Sequence, residues 1–187
     1  MTQTDRRWLL PGALLILAAV VIELAMGREP WCTCGTIKLW HNEVASSENS
    51  QHIADWYTPS HIVHGLIFHA VLALAVPRMA LGKRAFIALL AEVAWEVVEN
   101  TDWVIERYRE TTIALDYYGD SVVNSVADIL AMLLGFWLAT RLPVWASVIL
   151  ALGLEALALA VIRDNLALNV LMLLYPVPAI RDWQAGG

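Results

Sequence analysis

Glu92, Glu96 and Glu99 stand four and three residues apart in an otherwise apolar run, EVAWEVVEN, so they share one helix face. A second apolar run, YYGDSVVNSVAD, repeats the pattern with Asp120, Asn124 and Asp128 at successive steps of four. Lipid-facing helices exclude such groups, because a charged side chain at membrane depth costs roughly 2.5 kcal/mol or more. Two stripes carrying five carboxylates therefore require an interior and a compensating partner. The fold has to bring the two faces together.

Composition names the solvent. Of the 187 residues, 59% are hydrophobic and only 16% charged, against about 25% charged in soluble domains, which points to lipid. Nine tryptophans suit anchoring at the headgroup level. A net charge of -6 with scattered basic residues argues against a nucleic-acid partner.

Arg6 and Arg7 precede an apolar stretch over 8–26. It is longer than the roughly 7–15-residue core of a cleaved signal and close to the ~20 residues of a crossing. The arginine pair predicts a cytoplasmic N-terminus. Glu23 reads as an interfacial carboxylate at the outer end. Residues 27–58 form a polar outer segment carrying Cys32, Cys34, His41, His52 and Asp55, with Trp31, Trp40, Trp56 and Tyr57 suited to a packed lid. The cysteine pair suits either a soft metal bound by thiolates or a disulfide in an oxidising compartment. Further helices are expected over about 60–76, 85–104, 121–140 and 144–162. Arg78, Lys83, Arg84 and Arg141 fall on the inner side, and Arg107 and Arg109 in an outer loop. The stretch 165–178 is short for a crossing and reads as half-length, re-entrant or interfacial. The expected fold is all-α, a polytopic membrane helix bundle of five or six spans forming one integral domain over 1–187.

The depths put His61 and His64 level with Glu96, Glu99, Asp120, Asn124 and Asp128. Imidazole nitrogens with carboxylate oxygens suit a divalent zinc, iron or manganese ion, with His61, His64, Glu96 and Asp120 as ligands. Glu96, Glu99 and Asp128 are the candidate catalytic acids and bases. Arg107, Arg109 and Asn124 are the candidate substrate-binding residues, because guanidinium grips phosphate bidentately. Together they predict an outward-facing site, metal-assisted, for a lipid-linked or anionic envelope substrate. Two alternatives stand beside it. In one, the chain is an accessory or assembly subunit of a larger membrane complex, and Arg107, Arg109 and Arg163 neutralise a structural polar network. In the other it is a proton or cation transporter, for which Glu155 and His69 are the polar steps of the inner half. No GxSxG, HExxH, P-loop or dinucleotide-binding fingerprint occurs.

The blocks CTCGTIKLWH, SSENSQHIADWYTPSHIVHG, EVAWEVVEN, YYGDSVVNSVADILAMLLGFWL and IRDNLALNVLMLLYP, in this order, resemble a family of bacterial multi-pass membrane proteins found mainly in alphaproteobacteria. It is defined by domain of unknown function 2585 (uncharacterised protein family 314). The resemblance covers nearly all of the chain after the first helix. It implies an inner-membrane location and no particular activity. The chain is also similar, more faintly, to VanZ-like membrane proteins, with His64, Glu92 and Glu96, Arg107 or Arg109, and Asp128 with Gly135 in comparable places. It departs from them at Glu99-Asn100, where those proteins commonly have Gln. That likeness implies a cell-envelope context.

Overall fold

The computed structural model describes residues 6–112 and 115–186. Among them, eight helices of seven residues or more follow in order: α1 Leu9–Ala25, α2 Thr58–Ala75, α3 Leu81–Glu99, α4 Asp102–Thr111, α5 Val122–Arg141, α6 Val144–Ile162, α7 Leu166–Leu174 and α8 Pro178–Gln184. The described residues contain no strand, so the all-α class stands.

The span number needs correction. Among the described residues, three helices, α2, α5 and α6, are long and apolar enough to cross a membrane, not five or six. α1 has 17 residues, short of the ~20 that a bilayer core of about 30 Å requires. α3 has 19 residues, but Lys83, Arg84, Glu92, Glu96 and Glu99 lie within it. Their charge removes it from the apolar set. The stretch 165–178 yields only the nine-residue α7, about 14 Å long at 1.5 Å per residue.

The helix expected over 85–104 also divides. α3 stops at Glu99, and the Thr101 hydroxyl accepts the Val104 N–H to start α4, as N-cap residues do. Arg107 and Arg109 therefore sit on a helix rather than in a loop. Ser121 caps α5 in the same way through the Asn124 N–H, and Asn165 caps α7 through the Leu168 N–H.

Two glycines determine how the bundle closes. α2 and α5 run side by side in the same direction, His61 beside Asp128 and His69 against Phe136. A Cβ built on Gly65 would lie 2.0 Å from the Met132 carbonyl oxygen, and one on Gly135 would lie 2.0 Å from that of Ile62. The two backbones touch there, which only residues without a side chain allow. α1 and α3 cover the pair around Ala19, Leu89, Val93, Ile129, Met132 and Phe136. α6 buries only Ala158 and exposes Val148, Ile149 and Leu152, an apolar surface that lipid would cover.

The segment between α1 and α2 contains no helix and docks on the start of α5. The Val122 and Val123 N–H groups donate to the carbonyls of Glu29 and Pro30, and the Ser121 N–H to that of Ser50. Gln51 Nε2 donates to the Gly119 carbonyl, and Asn124 Nδ2 to that of His52, at 2.7 and 2.9 Å. The polar lid is thus hydrogen-bonded over the end of the bundle where the acids lie.

Candidate metal centre and adjoining cavity

The first turns of α2 present His61 and His64 to the acidic face of α3. His61 Nδ1 lies 2.7 Å from Glu92 Oε1, and His64 Nδ1 lies 3.2 and 3.1 Å from the two Glu92 oxygens. His61 Nδ1 is also 3.4 Å from Glu96 Oε1, and its Nε2 is 3.8 Å from Asp128 Oδ2 on α5. One imidazole therefore links carboxylates of two helices, because the Gly65–Gly135 contact draws α2 against α5. Glu92 and Glu96 are both 0% exposed. Neither Glu96 oxygen has a hydrogen-bond partner, and Asp128 Oδ1 has none. Among the described residues, no lysine or arginine forms an ion pair with Glu92, Glu96, Glu99, Asp120 or Asp128. Burying unpaired carboxylates costs several kcal/mol each, so this network fits either bound protons or a cation. His61, His64 and Glu92 each offer a ligand atom, mutually within 4.8 Å. This two-nitrogen, one-oxygen set suits zinc, iron or manganese.

The other expected site residues are placed as follows. Asp120 accepts from Asn100 Nδ2 at 3.2 Å and from the Tyr117 hydroxyl at 3.0 Å, and its own N–H donates to Asn100 Oδ1. It belongs to the Asn100–Tyr117 cluster rather than to the imidazole pair. Burial pushes its carboxyl up to about 6 despite those bonds. Asn124 holds the lid. Arg107 Nε donates to the Leu173 carbonyl and Arg109 Nε to that of Tyr117, and neither lines the cavity described below. Arg163 donates to the Trp183 carbonyl. Glu155, a candidate inner polar step, accepts the Leu166 and Ala167 N–H groups at 3.1 Å each. It thereby satisfies free amides at the start of α7.

A cavity of about 140 Å³ opens beside the centre, with Tyr57, Trp95, Glu99, Tyr108, Tyr117 and Asp128 in its wall next to His61 and His64. The three phenols are tethered. Tyr57 donates to Asp164 Oδ2, Tyr108 to Asn169 Oδ1 and Tyr117 to Asp120 Oδ1, at 3.3, 2.9 and 3.0 Å. Burial, and then neighbouring carboxylates, hold all three well above the ordinary phenol range, so they stay protonated donors.

Glu92 is the residue that sequence reasoning placed on the acidic face without counting it as a ligand. Its spacing from Glu96 was the available signal, but the choice between them depends on helix rotation. Glu23 is 1% exposed and sits beside Ser125 of α5, not at the interface as expected. The tyrosines carried no periodic signal. In the lid, Cys32 and Cys34 are joined as a disulfide. Glu48 and His52 lie close to that disulfide, whose sulfurs are bonded to each other and are therefore not thiolate ligands. His52 Nδ1 there accepts the Lys38 N–H, and Nε2 faces Glu48 Oε2 at 3.1 Å.

A family model described as "Protein of unknown function (DUF2585)" matches residues 23–186. A UPF0314 protein of Paracoccus denitrificans is 65% identical over 172 residues, covering 92% of this chain and 89% of the relative. Its counterpart in Sphingopyxis alaskensis is 52% identical, covering 96% and 95%, and one in Rhizobium etli is 49% identical, covering 96% and 92%. No solved structure matches. These bacterial relatives, together with the three membrane-length apolar helices among this chain's described residues, support a multi-pass location in the inner membrane. By the extent of both matches, the chain belongs to the DUF2585 family, the UPF0314 proteins.

Proposed function

We propose that this protein is an inner-membrane subunit whose buried imidazole–carboxylate network coordinates one divalent cation through His61, His64 and Glu92. The ion would lock α2, α3 and α5 together. The observation that carries the reading is the uncompensated charge. Neither Glu96 oxygen accepts a hydrogen bond from a described residue, His61 Nδ1 standing 3.4 Å from Oε1, and no lysine or arginine among the described residues pairs with its carboxylate neighbours. Helix bundles commonly build metal sites from such paired positions on facing helices. In this role the network is internal to an accessory or assembly protein, and the protein co-purifies with a larger membrane complex. Arg78, Lys83, Arg84 and Arg141 lie at the end of the bundle opposite the lid. Trp8, just after Arg6 and Arg7, packs against Phe86 at that same end, with the rings tilted by 34°. By the positive-inside rule, the basic end of α2 and α5 faces the cytoplasm and the opposite, lid-bearing end faces outward.

A second reading rests on the cavity, which adjoins both imidazoles. There the same centre would act on an envelope or lipid-linked substrate, with Glu96, Glu99 and Asp128 handling protons. Elemental analysis of the full-length protein tests both. Stoichiometric zinc, iron or manganese is expected in the wild type and is lost in Glu92→Gln. Absence of metal after loading, with the helical content intact, would end the metal reading and leave a proton-compensated structural network. Retained metal together with tolerance of Glu99→Gln and Asp128→Asn in complementation would favour the structural role over chemistry.

A further inference from the structure

The cavity beside His61 and His64 combines aromatic rings and carboxylates, with the uncharged polar side chains of Asn49, Ser50 and Ser60 also in its wall. Tyr57, Trp95, Tyr108 and Tyr117 give aromatic surface, Glu99, Asp120 and Asp128 give carboxylates, and no lysine or arginine is among its lining residues. Arg107 and Arg109, the residues expected to hold an anion, give their Nε–H groups to backbone carbonyls instead. We propose that this cavity binds an organic ammonium group, carried by an amine-headed lipid or by a small soluble amine, and not a phosphate.

Aromatic faces attract ammonium ions through the ring quadrupole, and cages of several rings are the usual recognition site for quaternary ammonium. The tyrosine hydroxyls donate to Asp164, Asn169 and Asp120. Their protons are thus engaged, and the rings are held in fixed orientations. An anion entering here would meet three carboxylates and no lysine or arginine. Asp128 supplies an independent pointer. Its side chain is 4% exposed, it lines the cavity, and its Oδ1 has no partner. Such an oxygen needs a donor or a positive charge. Leu166 and Val170 of α7 complete the wall with apolar surface suited to methylene or methyl groups. At about 140 Å³, below the ~300 Å³ of drug-sized pockets, the space holds a headgroup and not a whole large ligand.

The inference goes beyond the metal reading and stands with or without an ion on His61, His64 and Glu92. It is tested on chelator-treated and on metal-loaded full-length protein in detergent. Calorimetric titration with tetramethylammonium and with ethanolamine is expected to give saturable binding in both preparations, and sodium phosphate none. Asp128→Asn should weaken the ammonium ligand about tenfold or more. Tyr117→Leu should weaken it similarly while Tyr117→Phe, which keeps the ring, does not, and this pair carries the test if Asp128→Asn fails to fold. Native mass spectrometry assigns the source. A retained ethanolamine- or choline-headed lipid supports the lipid form, and binding of soluble amines without retained lipid supports the other. Binding of phosphate but not ammonium, binding of neither, or ammonium affinity unchanged in Tyr117→Leu overturns the proposal. Loss of metal retention with ammonium binding intact removes only the metal reading.

Discussion

Gly135→Ala attacks the contact that builds the site. The added Cβ would stand 2.0 Å from the Ile62 carbonyl oxygen and 2.9 Å from its carbon, where ordinary contact begins at 3.4 Å. α2 and α5 must therefore part by about 1.4 Å, the difference between 3.4 and 2.0 Å. The obstructing atoms are backbone and cannot rotate away, so the upper end of the overpacking range applies, about 3 kcal/mol. Alanine's helix propensity returns about 1 kcal/mol. The net loss of about 2 kcal/mol corresponds to a melting point lower by roughly 4–8 °C for a chain of this size. Gly153→Ala is the matched control, since a Cβ there meets nothing within 4 Å, and it should be neutral or mildly stabilising. Thermal melting in detergent, followed by circular dichroism, reads both. Equal melting points for the two variants would refute the close-approach argument. The same variant widens the His61–Asp128 separation, so any bound metal or ammonium ligand should weaken with it.

Asp120 and Asp164 are both buried with carboxyls raised from 3.8 to about 6. An acid raised in the folded state binds more protons there than when unfolded, so its stabilising share is full below pH 3.8 and is lost as pH rises through about 6. Stability should fall across that window, and Asp120→Asn should flatten the fall in a pH series of melts; an unchanged slope would contradict the burial. Asn124→Ala removes the bond to the His52 carbonyl and leaves that buried acceptor unpaired, a loss of about 1–3 kcal/mol. Limited proteolysis should then cut the lid faster, while Asn42→Ala, at an exposed contact with Trp56, should not change the rate. Cys32 and Cys34, joined in the structure, should resist alkylation in membranes until a dithiol reductant is added.

The apolar runs and the i, i+4 spacing of Glu92 with Glu96 and of Asn124 with Asp128 made the helices and their acidic faces legible in the sequence, whereas Asp120, expected on the same face, precedes the Ser121 cap of α5. The same carboxylates misled the span number. Hydropathy patterning sees that a helix exists, but α3 buries only the stripe that carries Glu92 and Glu96 and exposes Leu90 and Val98 on its other side, and only packing reveals which side is covered. Asn100 and Thr101 show the same limit on a smaller scale. A cap divides what periodicity reads as one helix.

Residue spacing alone fixed which side chains share a face, because helical geometry is local. Which faces meet was decided by two glycines seventy residues apart in the chain, whose missing side chains let α2 and α5 touch and so placed His61 between Glu92 and Asp128. Local spacing cannot encode that meeting. Helix rotation follows from backbone contact between distant segments, and it chose Glu92 over Glu96 beside the imidazoles, turned Arg107 and Arg109 to carbonyls, and left the cavity lined by rings and acids.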